Sequence, residues 1–523
     1  MMAQHRGFSW SIPLSVRHTV KLSGMNPPFL DTSLVLLCHK LSGVMGAAVK
    51  GGGGAMVDLD EFERYMDLLC ERLGHADRRL GFMEYSRGLM LPIERKSIEP
   101  LAAHIDPWRV GAKHQSLHHM VAKSDWSDEA VLEGVREWVT PTLGLEKGCY
   151  WIVDDTGFPK NGRHSVGVAR QYCGQLGKQD NCQVAVSLSL ASPEGSLPIA
   201  FRLYLPEEWA TDKARRRKTG VPEDIRFATK PDIALAQIRH AQETGVPAGI
   251  VLADAGYGNS IDFREGLTAQ GLPYCVGVQS NTGVWTKERM PLPPKPRTSA
   301  RGRKATRLRR APGHTPLSVK EVACQLPPSA WRTVTWRPGT NARLSSRFAA
   351  LRVRAAHRDW HRCAPREEEW LLIDWPRQEL EPVHYWLARL PATMTRQALV
   401  STAMMRWRIE RDYQELKQEF GLSHYEGRGW RGFHHHATLC VAAYGFLLTT
   451  RLKTYGGSKK NSARSQASLL PKGYTPRGRR KNAAPCSQLD RHAALSACPC
   501  HRPNARPLSL LRIPEPEAQF MTQ

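Results

Sequence analysis

From Leu59 onward, apolar residues recur at intervals of three and four: Leu59, Phe62, Met66 and Leu69, and later Val131, Val135 and Val139. That period places them along one side of an α-helix, so the segment 58–143 is predicted helical. Asp125 or Ser127 can cap the helix that carries Glu129 to Val139. At Cys149 the texture changes. Cys149-Tyr150-Trp151-Ile152-Val153 is an unbroken apolar run, and further β-like runs follow at 166–172, 182–191 and 197–205, separated by Gly, Asn or Pro. A helix at 231–242, a strand at 249–253, a helix at 261–269 and a strand at 274–278 come next. Several strands followed by an alternation of helix and strand predict an α/β fold built on a mixed sheet.

The later chain is less regular. Between Lys287 and Arg310 stand ten basic residues, one acid and four prolines, the make-up of a loop. β-like, Trp-rich segments then run to about 390, including Trp331, Trp336, Trp370, Trp375 and Trp386. Segments 397–420 and 437–452 read as helices. The predicted organisation is an extension, non-native or disordered, at 1–55; a helical domain at 56–147 with interspersed basic residues, read as DNA-binding or simply as packing; a core in two parts at 148–283 and 393–455; a basic loop with a β-rich insertion at 284–392; and a basic, mostly disordered tail at 456–523. The codons of Lys50-Gly51-Gly52 can spell a purine-rich ribosome-binding site, so translation is expected to start near Met56.

Charge narrows the class. Lys plus Arg number 74 against 49 Asp plus Glu, a formal net charge of +25. An excess of that size points to a polyanionic partner, of which a phosphate backbone is the commonest. The twelve cysteines follow no disulfide framework, which fits a reduced cytoplasmic, nucleoid-associated setting. Cys498-Pro499-Cys500-His501 lacks the second ligand pair of a zinc site. No uninterrupted apolar run reaches the ~18–20 residues of a membrane-spanning helix, so no membrane partner is expected.

Two aspartates share a setting. Ile152-Val153-Asp154-Asp155-Thr156-Gly157 and Val251-Leu252-Ala253-Asp254-Ala255-Gly256 each end an apolar strand in a carboxylate, at the sheet edge where ligands bind in α/β folds. Side by side, such carboxylates offer hard oxygen donors suited to Mg²⁺ or Mn²⁺. Strand-end aspartates also serve as ordinary turn and cap residues. A third element lies at 406–417, where Arg406, Glu410 and Lys417 stand at i, i+4 and i+11 and fall within roughly 40° on one helical face. Ile409, Tyr413, Leu416 and Phe420 form an apolar stripe beside them that can dock the helix. A carboxylate between two cations suits a metal-held phosphodiester, while a solvated helix with an Arg–Glu pair fits the pattern equally. Asp412, Glu415 and Glu419 read as surface charges. His434-His435-His436 point three ways on a helix, so capping or a DNA-facing role is expected rather than metal ligation.

From about 148 to 448 the chain resembles the DDE transposases of bacterial insertion sequences. It is most similar to the subgroup whose third acid lies in a Tyr-x-x-Arg-x-x-x-Glu-x-x-x-x-x-x-Lys signature. Arg406, Glu410 and Lys417 match; Ala403 stands at the Tyr position. The family pattern around the first acid selects Asp154 over Asp155, and its Asp-x-Gly-Tyr pattern fits Asp254. The runs Asp155-Thr156-Gly157-Phe158-Pro159-Lys160 and Gly421-Leu422-Ser423-His424-Tyr425-Glu426-Gly427-Arg428 are also similar.

The resemblance implies a ribonuclease-H-like core interrupted by a β-rich insertion, with the first acid on the first strand and the second on the fourth. The sequence shows one β-like run more than that before Asp254. It implies that Asp154, Asp254 and Glu410 are catalytic and hold two Mg²⁺ ions (Mn²⁺ as substitute), and that Arg406, Lys417 and Trp386 contact DNA; Trp386 has core packing as its alternative. It further implies cleavage at terminal inverted repeats and joining to target DNA by a homodimer on paired ends. A DNA-binding protein that no longer cuts, and a nuclease of the same fold that does not join, remain the alternatives.

Overall fold

The structure, a computed structural model, describes residues 59–296, 304–338 and 343–456. The expectations for 1–55, for the tail and its Cys498–Cys500 pair, and for part of the basic loop lie outside the described residues.

Five helices open the described chain: α1 (Leu59–Glu71), α2 (Arg78–Met90), α3 (Ile98–Ile105), α4 (Val110–Ala122) and α5 (Asp128–Val139). Their buried positions follow the sequence period: Phe62, Tyr65, Met66 and Leu69 on α1, and Val131, Val135 and Val139 on α5. Of the two candidate caps, Ser127 does the work, its Oγ accepting from the Ala130 amide at 3.1 Å.

The sheet begins with β1 (Tyr150–Pro159), β2 (Ala169–Cys173), β3 (Lys178–Ala191) and β4 (Ser196–Leu203). Then come α6 (Glu207–Thr211), α7 (Lys213–Thr219) and α8 (Lys230–Glu243), followed by β5 (Ile250–Ala253), α9 (Ala255–Gly258), α10 (Ile261–Ala269) and β6 (Tyr274–Val278). The spatial order is β4-β3-β1-β5-β6, antiparallel through β1 and parallel across β1, β5 and β6. Cys182 of β3 pairs with both Pro159 and Ala169, so β2 lies on the same edge of β3 as β4. The run in excess before Asp254 is therefore β2, a short strand paired to the overhanging start of β3.

The chain continues as β7 (Gly283–Trp285), β8 (Leu317–Ser318), α11 (Val319–Gln325), β9 (Arg332–Pro338), β10 (Arg343–Ala355), β11 (Glu369–Asp374) and β12 (His384–Arg389). β12 pairs antiparallel with β6, and β11, β10 and β9 follow outward. These strands extend the same sheet. The C-terminal helices are α12 (Arg396–Met404), α13 (Trp407–Gln418) and α14 (Trp430–Gly456).

Segment 397–420 is two helices rather than one. The bonds Met405 N to Thr402 O and Arg408 N to Met405 O tighten to a three-residue step at the junction, which turns Arg406 toward the sheet. α14 is the central helix. Tyr65 Oη donates to Ala442 O at 2.8 Å, and a Cβ on Gly445 would stand 2.8 Å from Val135, so α5 and α14 approach closely. One apolar cluster runs from Phe62 through Ile152 to Leu448. The first helices thus share their core with the sheet. A second cluster, with Val284, Trp331, Val353 and Leu371, fills the other face of the outer strands.

Candidate active site

In the parallel register of β1 and β5, Ile152 is opposite Leu252. Two residues on, the same alternation brings Asp154 and Asp254 to one level and one face. Asp254 ends its strand as expected, capping α9 by accepting from the Gly256 amide at 2.9 Å. Asp154 differs: β1 runs on to Pro159, so it sits mid-strand. Its neighbour β5 has ended by then, which leaves this stretch of β1 open on that edge. Gly277 of β6 closes the floor; a Cβ there would lie 2.9 Å from the Ala255 amide nitrogen and 3.1 Å from the Asp254 carbonyl carbon.

Asp154 and Asp155 face opposite sides of the sheet. Asp155 Oδ2 takes an ion pair from Lys230 of α8 at 3.0 Å and a hydrogen bond from Tyr257 Oη at 3.4 Å. Asp154 faces α13. There Arg406 Nη1 reaches Asp154 Oδ2 at 2.9 Å while its Nη2 reaches Glu410 Oε1 at 3.1 Å. One guanidinium therefore bridges the first and third candidate acids. Lys417 points inward from the same helix, donating to Gly157 O at 2.7 Å, and burial lowers its pKa to about 8. Tyr413 Oη and Ser187 Oγ are 2.7 Å apart, and Ser187 is the cross-strand partner of Asp154, so the apolar stripe of α13 is pinned beside the acids.

The expectation that Asp412 and Glu415 are surface charges is overturned. Asp412 is buried, accepts from Ser196 Oγ at 2.6 Å and Tyr444 Oη at 3.0 Å, and burial pushes its pKa to about 6. Glu415 is clasped by Arg411 and Arg451. Helical spacing from Glu410 places both toward α14, a partner that the sequence did not reveal. The histidine run is also neither capping nor DNA-facing. His434, His435 and His436 are all buried, because α14 is surrounded and each direction meets a different element. Leu203 N donates to His434 at 3.2 Å; His435 lies against the Val121 and Trp126 carbonyls; His436 lies between Tyr85 Oη and Gly421 O.

Trp386 is half-buried on β12, its ring 5.6 Å from that of His384. Its cross-strand partner is Gly277, the residue beneath Asp254, so its side chain rises on the site's face of the sheet. Ala403, at the signature's Tyr position, is buried on α12.

The carboxyl of Asp154 is pushed up to about 7: burial raises it, Arg406 pulls it down, and Asp254 and Asp155 raise it again. Clustered carboxylates that one guanidinium only partly offsets suit a divalent cation bound through oxygen. No group of three or more His, Cys, Asp or Glu is gathered to ligand distance among the described residues; Arg406 stands between Asp154 and Glu410. Asp154 and Asp254, on one face of the sheet, would supply the first oxygen donors to such an ion, and Glu410, whose side chain is 64% exposed, would join them by displacing the guanidinium.

Residues 68–343, more than half of the chain, match the family model described as DDE superfamily endonuclease. The chain belongs to the DDE superfamily of endonucleases. As a member it is also 32% identical over 195 residues to a protein of Microchaete diplosiphon named "Probable transposase for insertion sequence element IS701". That similarity covers 37% of this endonuclease-family chain and 47% of the relative, so the chain spans just under half the length of the curated relative it matches. The family match takes in Asp154 and Asp254, whereas Trp386, Arg406, Glu410 and Lys417 lie beyond it.

Proposed function

We propose that this chain is a DNA transposase that cuts at the ends of its own mobile element and joins the freed ends to target DNA. The observation that carries the reading is the bridging of Asp154 on β1 and Glu410 on α13 by Arg406, beside Asp254 at the same level of the sheet. Residues far apart in sequence converge on one point, in the order of the three acids of this class. The Arg, Glu and Lys of the subgroup signature are Arg406, Glu410 and Lys417, with Ala403 replacing its Tyr.

Asp154, Asp254 and Glu410 would hold divalent cations, Mg²⁺ or Mn²⁺, in a two-ion site. When bound, such ions supply a Lewis acid for the phosphodiester and lower the pKa of water. The protein's own part is positional. Asp254, fixed by the Gly256 amide, and Asp154, fixed by the β1 register, set the acids on a rigid sheet; Arg406 and Lys417 present cations to phosphates on either side of the cut. Trp386, on the site's face of β12, is the side chain on which a base leaving the stack would rest, a contact of ~1–3 kcal/mol. Double-stranded DNA is the partner, and a homodimer acts on paired ends.

A second reading, a DNA-binding protein that no longer cuts, is favoured by Ala403 and by Arg406 lying between two of the acids. The test uses labelled duplex bearing the ends that flank the gene, a supercoiled target plasmid and Mg²⁺ or Mn²⁺. Plasmid-joined label supports the transposase; cut ends without joined product indicate a nuclease; binding without cuts indicates the second reading.

A further inference from the structure

Away from the acids, a cleft of about 490 Å³ is lined by Asn161, Arg163, Ala169, Arg170, Asn181 and Arg215, with Glu208 as its single carboxylate. It is a built feature. Trp209 is buried, and its indole Nε1 donates to Val168 O at 2.7 Å; the Arg215 guanidinium lies over the Trp209 ring at 3.8 Å from its centre. Asn181 Nδ2 donates to Gly162 O at 2.9 Å, which holds the loop carrying Arg163. Arg163 and Arg170 are exposed, and neither they nor Arg215 are ion-paired to a carboxylate among the described residues.

Arg215 belongs to α7, whose seven residues Lys-Ala-Arg-Arg-Arg-Lys-Thr include five cations. Lys213, Arg217 and Lys218 of the same helix are exposed, while Arg215 is half-buried. Like charges at such spacing destabilise a short helix, and a bound polyanion would relieve that repulsion.

The cleft lies just past the end of β1. Asn161 follows Asp154 by seven residues, the last two beyond the strand, a span of at most roughly 23 Å at strand rise, with Lys417 on Gly157 between them. That distance is about seven steps of duplex at 3.4 Å. Resting on the DNA reading above, we propose that this cleft grips the phosphate backbone of the DNA flank about seven base pairs from the cut. It acts as an anchor separate from the cutting centre and indifferent to base sequence.

The test compares parent, an Arg163→Ala/Arg170→Ala double variant and the matching Lys/Lys variant. Binding is measured on a long end duplex and on duplexes trimmed to ~5 base pairs beyond the cut on either side. The Ala pair should weaken binding to the long duplex by about tenfold or more and lower the log–log salt slope by about 2. The Lys pair should restore most of both, and one trimmed duplex should bind parent and Ala pair alike. Unchanged affinity and slope, or equal loss on every duplex length, would overturn the anchor. If the parent binds and cuts while the Ala pair matches it, only the anchor fails; if the parent binds no duplex, the DNA reading itself has failed.

Discussion

Asp154 and Asp155 are adjacent in the chain, and the pleat of β1 sends one to α13 and the other to α8. Their substitution should separate accordingly. Asp154→Asn is expected to lower cutting by about 10³-fold or more, as loss of a metal ligand does, while Asp155→Asn stays within about tenfold in the same rate assay. Its half-exposed pair with Lys230 is worth ~1 kcal/mol or less, so melting should change little. Near-equal losses from the two would contradict the assignment by face. Gly277 offers a steric test. Gly277→Ala forces Asp254 or α9 to shift, at a cost of ~1–3 kcal/mol, so thermal stability and cutting should fall together while DNA affinity holds. At this scale the apolar run before each aspartate was legible. Which aspartate faced which helix was not legible, because a strand's alternation says nothing of what covers each face; the family resemblance singled out Asp154 over Asp155 without naming either helix. The partners of Asp155, Lys230 and Tyr257, come from 75 and 102 residues away and leave no local signal.

Elements were legible where the period was strong: α1, α5 and β1 through β6 lie close to their predicted places. The division of 397–420 was not, because the sequence there contains no Gly or Pro to mark a break; at the turn Arg406 pairs with Asp154 on β1, a contact that no local pattern announces. α14 was read too short for a related reason. Three histidines at its start look polar, yet each is buried against a different neighbour. They give the helix a pH dependence. Burial lowers the pKa of His436 from 6.5 to about 4, so the unfolded chain takes up the proton first as pH falls. The stability is complete above 6.5 and is lost progressively toward 4, by up to about 3 kcal/mol from this residue. His436→Phe should melt lower than the parent at pH 7.5, since Tyr85 Oη and Gly421 O lose a partner, and should decline less steeply below pH 6. A parent-like slope would contradict the burial argument.

At the scale of the molecule, the sequence divides into a helical part and a sheet part, yet α14 binds both into one core. Phe62, Tyr65 and Leu69 pack into the same cluster as Ile152 and Phe446. A fragment beginning at residue 148 should therefore show no cooperative melting transition, by calorimetry or circular dichroism; a fragment as stable as the whole would show that the helices are a detachable module. That shared core was hidden from the sequence because amphipathic periodicity marks a face for burial without naming its partner. The continuation of the sheet through β12 was equally hidden, since strand pairing over long separations leaves no periodic trace.

As a transposase, the chain would need Asp154, Asp254 and Glu410 to act as one metal-dependent centre. The most direct measurement is the single-turnover nicking rate on labelled end duplex, with Mg²⁺, Mn²⁺ or EDTA, for parent and Glu410→Gln at saturating protein. Nicking by the parent with either metal, none with EDTA, and a loss of about 10³-fold in the variant at unchanged DNA affinity is the predicted result. Nicking that survives in EDTA, or a variant that cuts as fast as the parent, would contradict it.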